Sequence, residues 1–137
     1  MSYITWELDV EDGLDAYDPL GRIVILGDEG KVEEESTYLD AFFEALIEGT
    51  QRIEIGKTIT VDPLVEPNDI IFKLTYGQLT ISYCSFAATI LDKVKFSDDL
   101  RQAIDKLVNE LDDLTFQKGQ EKRKLAKLRN YLNQQIN

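Results

Sequence analysis

The spacing of apolar residues changes period along this chain, and that change most limits the folds open to it. Ile70, Phe72, Leu74 and Tyr76 alternate with Ile71, Lys73 and Thr75; after Gly77-Gln78 come Leu79, Ile81 and Tyr83 at the same spacing. Period two is the mark of strands buried on one face. A glycine opening the two-residue connection predicts a hairpin with a type II′ turn. Just upstream the period is different. Leu39, Phe42, Phe43, Leu46 and Ile47 recur at three and four residues, one stripe of an amphipathic helix predicted over 37–49. Ser36 or Thr37 would cap its start, with Glu33, Glu34 and Glu35 near the positive end of its dipole. Gly49 would end it.

The remaining elements follow from the same arithmetic. Ile4, Trp6, Leu8 and Val10 alternate with Tyr3, Thr5, Glu7 and Asp9, a half-buried strand. Residues 11–21 are rich in acids, glycine and proline and read as a loop. Arg22 to Leu26 is a short buried run between Gly21 and Gly27. Ile59 and Val61 lie in a short strand before Pro63, and Phe86 to Leu91 extends the meander. Ser97 is placed to cap a second helix with Leu100, Ile104, Leu107, Val108, Leu111 and Leu114 on its stripe. The apolar register lapses around Lys118, Gly119 and Glu121, so a break is expected near 115–119, since glycine costs about 1 kcal/mol within a helix. The predicted order is β-β-α-β-β-β-β-α-α. Without regular βα alternation this is an α+β fold, an antiparallel sheet with helices on one face. The expected division is a core at 1–116 and a basic helical extension at 117–137, lying back on the acidic half or projecting.

Charge is unevenly distributed. The 137 residues carry 26 acids, 15 bases and no histidine, a formal charge of −11. Residues 1–69 hold 18 acids and 4 bases, while 70–137 hold 8 acids and 11 bases. Such a field repels nucleic acid and anionic lipid from the first half and favours a basic partner. The plainer reading is that the carboxylates keep the protein in solution. One cysteine, Cys84, cannot form an internal disulfide. Met1 to Asp12 lacks the basic and apolar regions of a signal peptide, and no apolar run approaches a membrane span, so a cytoplasmic protein is expected.

Motifs that carry chemistry fail on spacing. The loop from Asp9 to Asp15 puts Gly13 at position 5 of a calcium loop and Leu20 at position 12, where ligands belong. Asp12, Asp15 and Asp18 are an alternative oxygen set, weighed against a solvated turn, which is the adopted reading. Gly56-Lys57-Thr58 ends like a phosphate loop, but Gln51 stands where the first glycine is required and the helix comes before it. Cys84 has no imidazole to activate it, the serines have no nucleophile elbow, and paired carboxylates have no discriminating power in so acidic a chain. The bases Lys118, Lys122, Arg123, Lys124, Lys127 and Arg129 could form a nucleic-acid arm, opposed by the acidic remainder. No catalytic residue, metal or cofactor is expected.

The segment from Thr37 to Gly49, then Ile59-Thr60-Val61-Asp62 to Glu66-Pro67, then Leu79-Thr80-Ile81-Ser82-Tyr83, resembles a group of small bacterial proteins. Some of these are similar to the immunity proteins that protect cells against polymorphic toxins. The resemblance covers residues 20–112, leaves out Gln117 to Asn137 and carries over no functional residue. With no histidine and no catalytic signature, the chain is expected to work by binding. The face expected to bind is Glu11, Asp12, Asp15, Tyr17 and Asp18 with Glu33, Glu34 and Glu35, and the expected partner is a basic protein. The alternative is assembly through the C-terminal helices, with Leu125, Leu128 and Leu132 as a seam for self-association.

Overall fold

The computed structural model describes residues 2–9 and 15–134. Strands β1 (Ile4–Leu8), β2 (Leu20–Leu26) and β3 (Glu29–Tyr38) lead into helix α1 (Leu39–Arg52). Four strands follow, β4 (Thr58–Val61), β5 (Ile70–Thr75), β6 (Gln78–Tyr83) and β7 (Phe86–Ile90), then helices α2 (Lys93–Gln117) and α3 (Ala126–Asn133). The strands form one sheet in the order β1-β2-β3-β7-β6-β5-β4, every neighbouring pair antiparallel. The fold is α+β. Alternation along the strands turns Ile23, Ile25, Phe72, Leu79, Ile81 and Ile90 into the core, while Thr5, Glu7, Ile71, Lys73 and Ala87 stay exposed on the opposite face. All three helices join that one core, α1 over the middle and far strands and α2 along β1.

The element order contains a strand that the apolar pattern does not announce. In β3 only Val32 and Thr37 are buried, and Glu29, Lys31, Glu33, Glu34 and Glu35 give it no alternation to read. It is a strand because β2 supplies hydrogen-bond partners along Lys31 to Tyr38 and β7 takes up Glu29 to Lys31. Glu33, Glu34 and Glu35 therefore belong to β3 and not to the first turn of a helix. The N-cap of α1 is Tyr38, with no side-chain cap; the Leu39 amide donates instead to the carbonyl of Pro19 at 3.0 Å. Helix α2 likewise starts a turn earlier than Ser97, because buried Phe96 extends its stripe and the Asp92 carboxylate accepts the Lys95 amide at 3.0 Å. The β5–β6 turn is Tyr76-Gly77, with positive φ at its second residue, so it is not type II′.

The first three strands and the last four form two meanders that meet along a short joint. β3 pairs with β7 only through Glu29 to Lys31 against Ala87 to Thr89. Asp28 reinforces this joint. Its amide donates to Thr89, and its carboxylate accepts both the Tyr3 hydroxyl at 2.6 Å and the Leu91 amide at 2.8 Å. The Tyr3 bond holds the Asp28 carboxyl below its usual range and raises the Tyr3 phenol. Beyond the joint, β3 and β6 are linked by the Tyr83 hydroxyl, which donates to Glu34 at 2.6 Å.

The break after α2 is present. Gly119 takes a φ of 65°, and the Gln120 amide returns to the Thr115 carbonyl at 2.8 Å, closing the helix end in the Schellman manner. The segment that follows belongs to the domain, since Leu125, Leu128 and Tyr131 lie in the same core cluster as the sheet.

Gly49 lies inside α1 and does not end it. A Cβ there would run into the ring of Phe72, which is fully buried and has no room to retreat. Its role is close approach of helix to sheet. Gly49→Ala should destabilise by about 1–3 kcal/mol through overpacking, despite the better helix propensity of alanine. Phe72→Leu in the same chain should recover part of that loss. Urea unfolding of the two single variants and the double variant measures this, and strictly additive losses would show that the two residues do not meet.

Candidate functional site

The first loop is described from Asp15 onward; Glu11 and Asp12 lie outside the described residues. Asp15 accepts the Tyr17 amide at 2.9 Å, and its carbonyl accepts the Asp18 amide at 3.2 Å, so the chain turns tightly before Pro19. This turn exposes Asp15, Tyr17 and Asp18 and buries Ala16. The basic segment lies back on it. Arg123 donates to the Ala16 carbonyl at 2.9 Å and forms an ion pair with Asp40 of α1 at 3.0 Å. Its guanidinium also lies 5.8 Å from the centre of the Tyr17 ring, while the Tyr17 hydroxyl donates to the Glu121 carbonyl. One arginine thus ties the loop, α1 and the C-terminal segment together.

The three glutamates of β3 have three different surroundings. Glu33 is paired with Arg22 and, at 3.5 Å, with Lys31; the Arg22 hydrogen bond holds its carboxyl below the usual range. Glu34 is taken by Tyr83, whose phenol is pushed up by burial first and by this carboxylate second. Glu35 is exposed. Since Leu20 pairs with Tyr38 and Gly21 with Thr37, the loop ahead of β2 arrives at the same end of the sheet as Glu35. The structure therefore brings Asp15, Tyr17, Asp18 and Glu35 to one end, and assigns Glu33 and Glu34 to holding strands.

The C-terminal leucines face this chain's own core. Leu125 and Leu128 are buried, and Leu132 is half-buried against the same cluster. Arg129 brackets the turn that seats them. Its guanidinium makes two bonds to the Asp112 carboxylate, at 2.6 and 3.1 Å, and donates to the carbonyls of Arg123 and Lys124, each at 2.9 Å. Leu125 is held there in a left-handed conformation, φ 45°, that a leucine seldom adopts. Asp40 and Asp112, the acceptors for these two arginines, carry no signal in the sequence; each is one acid among many until folding brings a guanidinium to it.

Two grooves flank this arrangement. The first, about 300 Å³ between α1 and α3, is lined by Glu44, Ile47, Gln51, Lys127, Tyr131 and Gln134. Burial raises the Glu44 carboxyl, while neighbouring Glu48 is paired with Arg52 at 2.9 Å. The second, about 350 Å³, runs beside β1 over α2 and is lined by Ile4, Thr5, Trp6, Gln102, Ala103 and Lys106 among others. Among the described residues no group of three or more Cys, Asp or Glu side chains converges as metal ligands would, and Asp15 already serves its own turn. Cys84 is an exposed thiol in the β6–β7 turn. No described helix is long and apolar enough to cross a membrane. In comparison with known proteins, no family model, no curated protein and no solved structure matches the chain.

The Arg129 bracket has a consequence in acid. Its hydrogen bonds hold the Asp112 carboxyl below the ordinary aspartate value. A carboxyl lowered by folding stabilises the protein above its unfolded pKa, about 3.9, and loses that contribution as pH falls through the folded value. Melting temperature should therefore fall between about pH 5 and pH 2. Asp112→Asn should be less stable at pH 7 and show a shallower decline in acid. Curves that stay parallel down to pH 2 would mean the bracket has no part in acid sensitivity.

Proposed function

We propose that this protein is a non-catalytic binding module whose acidic loop face engages a basic partner protein, immunity-like neutralisation of a toxin being one instance. The observation that supports this most directly is how the ion pairs are divided. Arg123 and Arg129 turn inward to Asp40 and Asp112, whereas Asp15, Asp18 and Glu35 stay exposed with no ion pair among the described residues. A face of exposed carboxylates on a chain of charge −11 raises the encounter rate with a basic surface. Tyr17, 45% exposed and fixed through its hydroxyl, adds an amphipathic side chain of the kind that anchors interfaces. Assembly through Leu125, Leu128 and Leu132 gains no comparable support, because two of the three are spent on the interior.

The test is kinetic. A partner recovered by affinity capture from the native cell is measured against the wild type and against the triple variant Asp15→Lys, Asp18→Lys, Glu35→Lys. At low salt the variant should associate at least about tenfold more slowly, because steering by charge acts on the on-rate. At about 0.5 M salt, where the screening length is only a few ångströms, the gap should close. An association rate equal to that of the wild type at low salt removes this face from the interface.

A further inference from the structure

The two edges of the sheet are finished differently. β4 has four residues and is flanked by Lys57 and Pro63, devices that keep a strand edge from being extended. β1, at the other end, carries neither lysine nor proline within Ile4–Leu8. Its ladder bonds fall on the odd residues. The Tyr3 carbonyl accepts the Leu26 amide at 2.8 Å and the Asp9 amide donates to Leu20 at 2.9 Å, with Ile4 opposite Ile25 and Leu8 opposite Gly21 between them. The backbone groups of Ile4, Trp6 and Leu8 therefore point away from β2. Ser2 closes the first of these, its hydroxyl accepting the Ile4 amide at 3.1 Å and donating to the Ile4 carbonyl at 2.9 Å. Trp6 and Leu8 are left with N–H and C=O groups that meet no partner among the described residues.

We propose that this open stretch of β1 accepts an extended strand of the partner, uncharged toward α2 and basic toward the open face. The proposal rests on the binding-module reading and names how the partner is held. The groove beside β1 gives the strand its place, with Asp99, Gln102, Ala103 and Lys106 of α2 as its floor, the Asp99 carboxylate already taken by Lys95 and the Tyr3 amide. Lys106 stands 5.6 Å from the centre of the Trp6 ring, so basic side chains are disfavoured on that side. On the other side Glu7 is exposed, in a chain of net charge −11. Alternate side chains of an added strand would thus meet Trp6 and Ala103 on one face and Glu7 on the other, while its backbone completes the ladder. A second copy of this chain fits poorly, since each copy carries −11.

The probe is the peptide acetyl-(Lys-Val)₃-amide added to the full-length protein, with acetyl-(Glu-Val)₃-amide and acetyl-(Lys-Pro)₃-amide as comparisons. Trp6 is the only tryptophan, so its emission reports on this edge directly. Hydrogen exchange followed by NMR reports on the amides. The Lys-Val peptide should shift the Trp6 emission and slow exchange of the Trp6 and Leu8 amides at least about tenfold, a change the other two peptides should not produce. Leu8→Pro removes an outward-facing donor together with part of a half-buried side chain, so it should abolish the effect while the odd-residue ladder persists. Should that variant fail to fold, exchange in the wild type decides the matter alone. Binding of the Lys-Val peptide with Trp6 and Leu8 exchange unchanged would overturn the edge while leaving the acidic-face reading intact. Equal binding of the Glu-Val peptide, no binding of any peptide at millimolar concentration, or concentration-dependent protection without peptide would overturn the proposal as well.

Discussion

Two meanders become one sheet through three residue pairs between β3 and β7, and the rest of the molecule depends on that joint. A ladder so short would be weak by itself. Asp28 strengthens it by accepting from Tyr3 at the start of β1 and from Leu91 at the end of β7, drawing three remote segments onto one carboxylate. Charge-assisted bonds of this kind are among the stronger polar contacts a protein makes. With the joint closed, α1 can leave the top of β3, cross the buried face and deliver the chain to the far edge. From there the second meander returns strand by strand. Gly49 against Phe72 sets how near the helix comes to the sheet during that crossing.

A sheet covered on one face only must have a helix layer wide enough for all seven strands. α1 and α2 leave a margin, and the C-terminal segment fills it. Its lysines face solvent, but Arg123 and Arg129 turn back onto Asp40 and Asp112, and Leu125, Leu128 and Tyr131 complete the core. The same placement bears on the charge of the surface. These two arginines serve internal carboxylates, and Asp15, Asp18 and Glu35 make no ion pair among the described residues.

Most of the fold was legible because most elements bury a periodic face. Leu39 to Ile47, Ile70 to Tyr83 and Leu100 to Leu114 each show their period without ambiguity, and the break at Gly119 could be read from the lapse in that period. β3 could not, because a strand held by its backbone pairing with β2 requires little of its own side chains. By apolar pattern alone Glu33, Glu34 and Glu35 fall at a helix end, whereas they lie in β3. Of the acidic face, Asp15, Tyr17 and Asp18 were visible as a cluster in the loop, and Glu35 joins them only through the pairing of β2 with β3. The open backbone of Trp6 and Leu8 was invisible for a related reason. Alternation shows which side chains face the core, but not which edge of a strand lacks a neighbour.

What the sequence alone determined is the set of local decisions that periodicity and charge can make: a strand here, a helix there, a break at Gly119 and an excess of carboxylates in the first half. What only the tertiary structure decided is which groups meet. Arg129 finding Asp112, Tyr83 finding Glu34 and Asp28 joining Tyr3 to Leu91 all span many residues. None follows from composition, because a hydrogen bond depends on distances of a few ångströms that the chain acquires only when its apolar faces have packed.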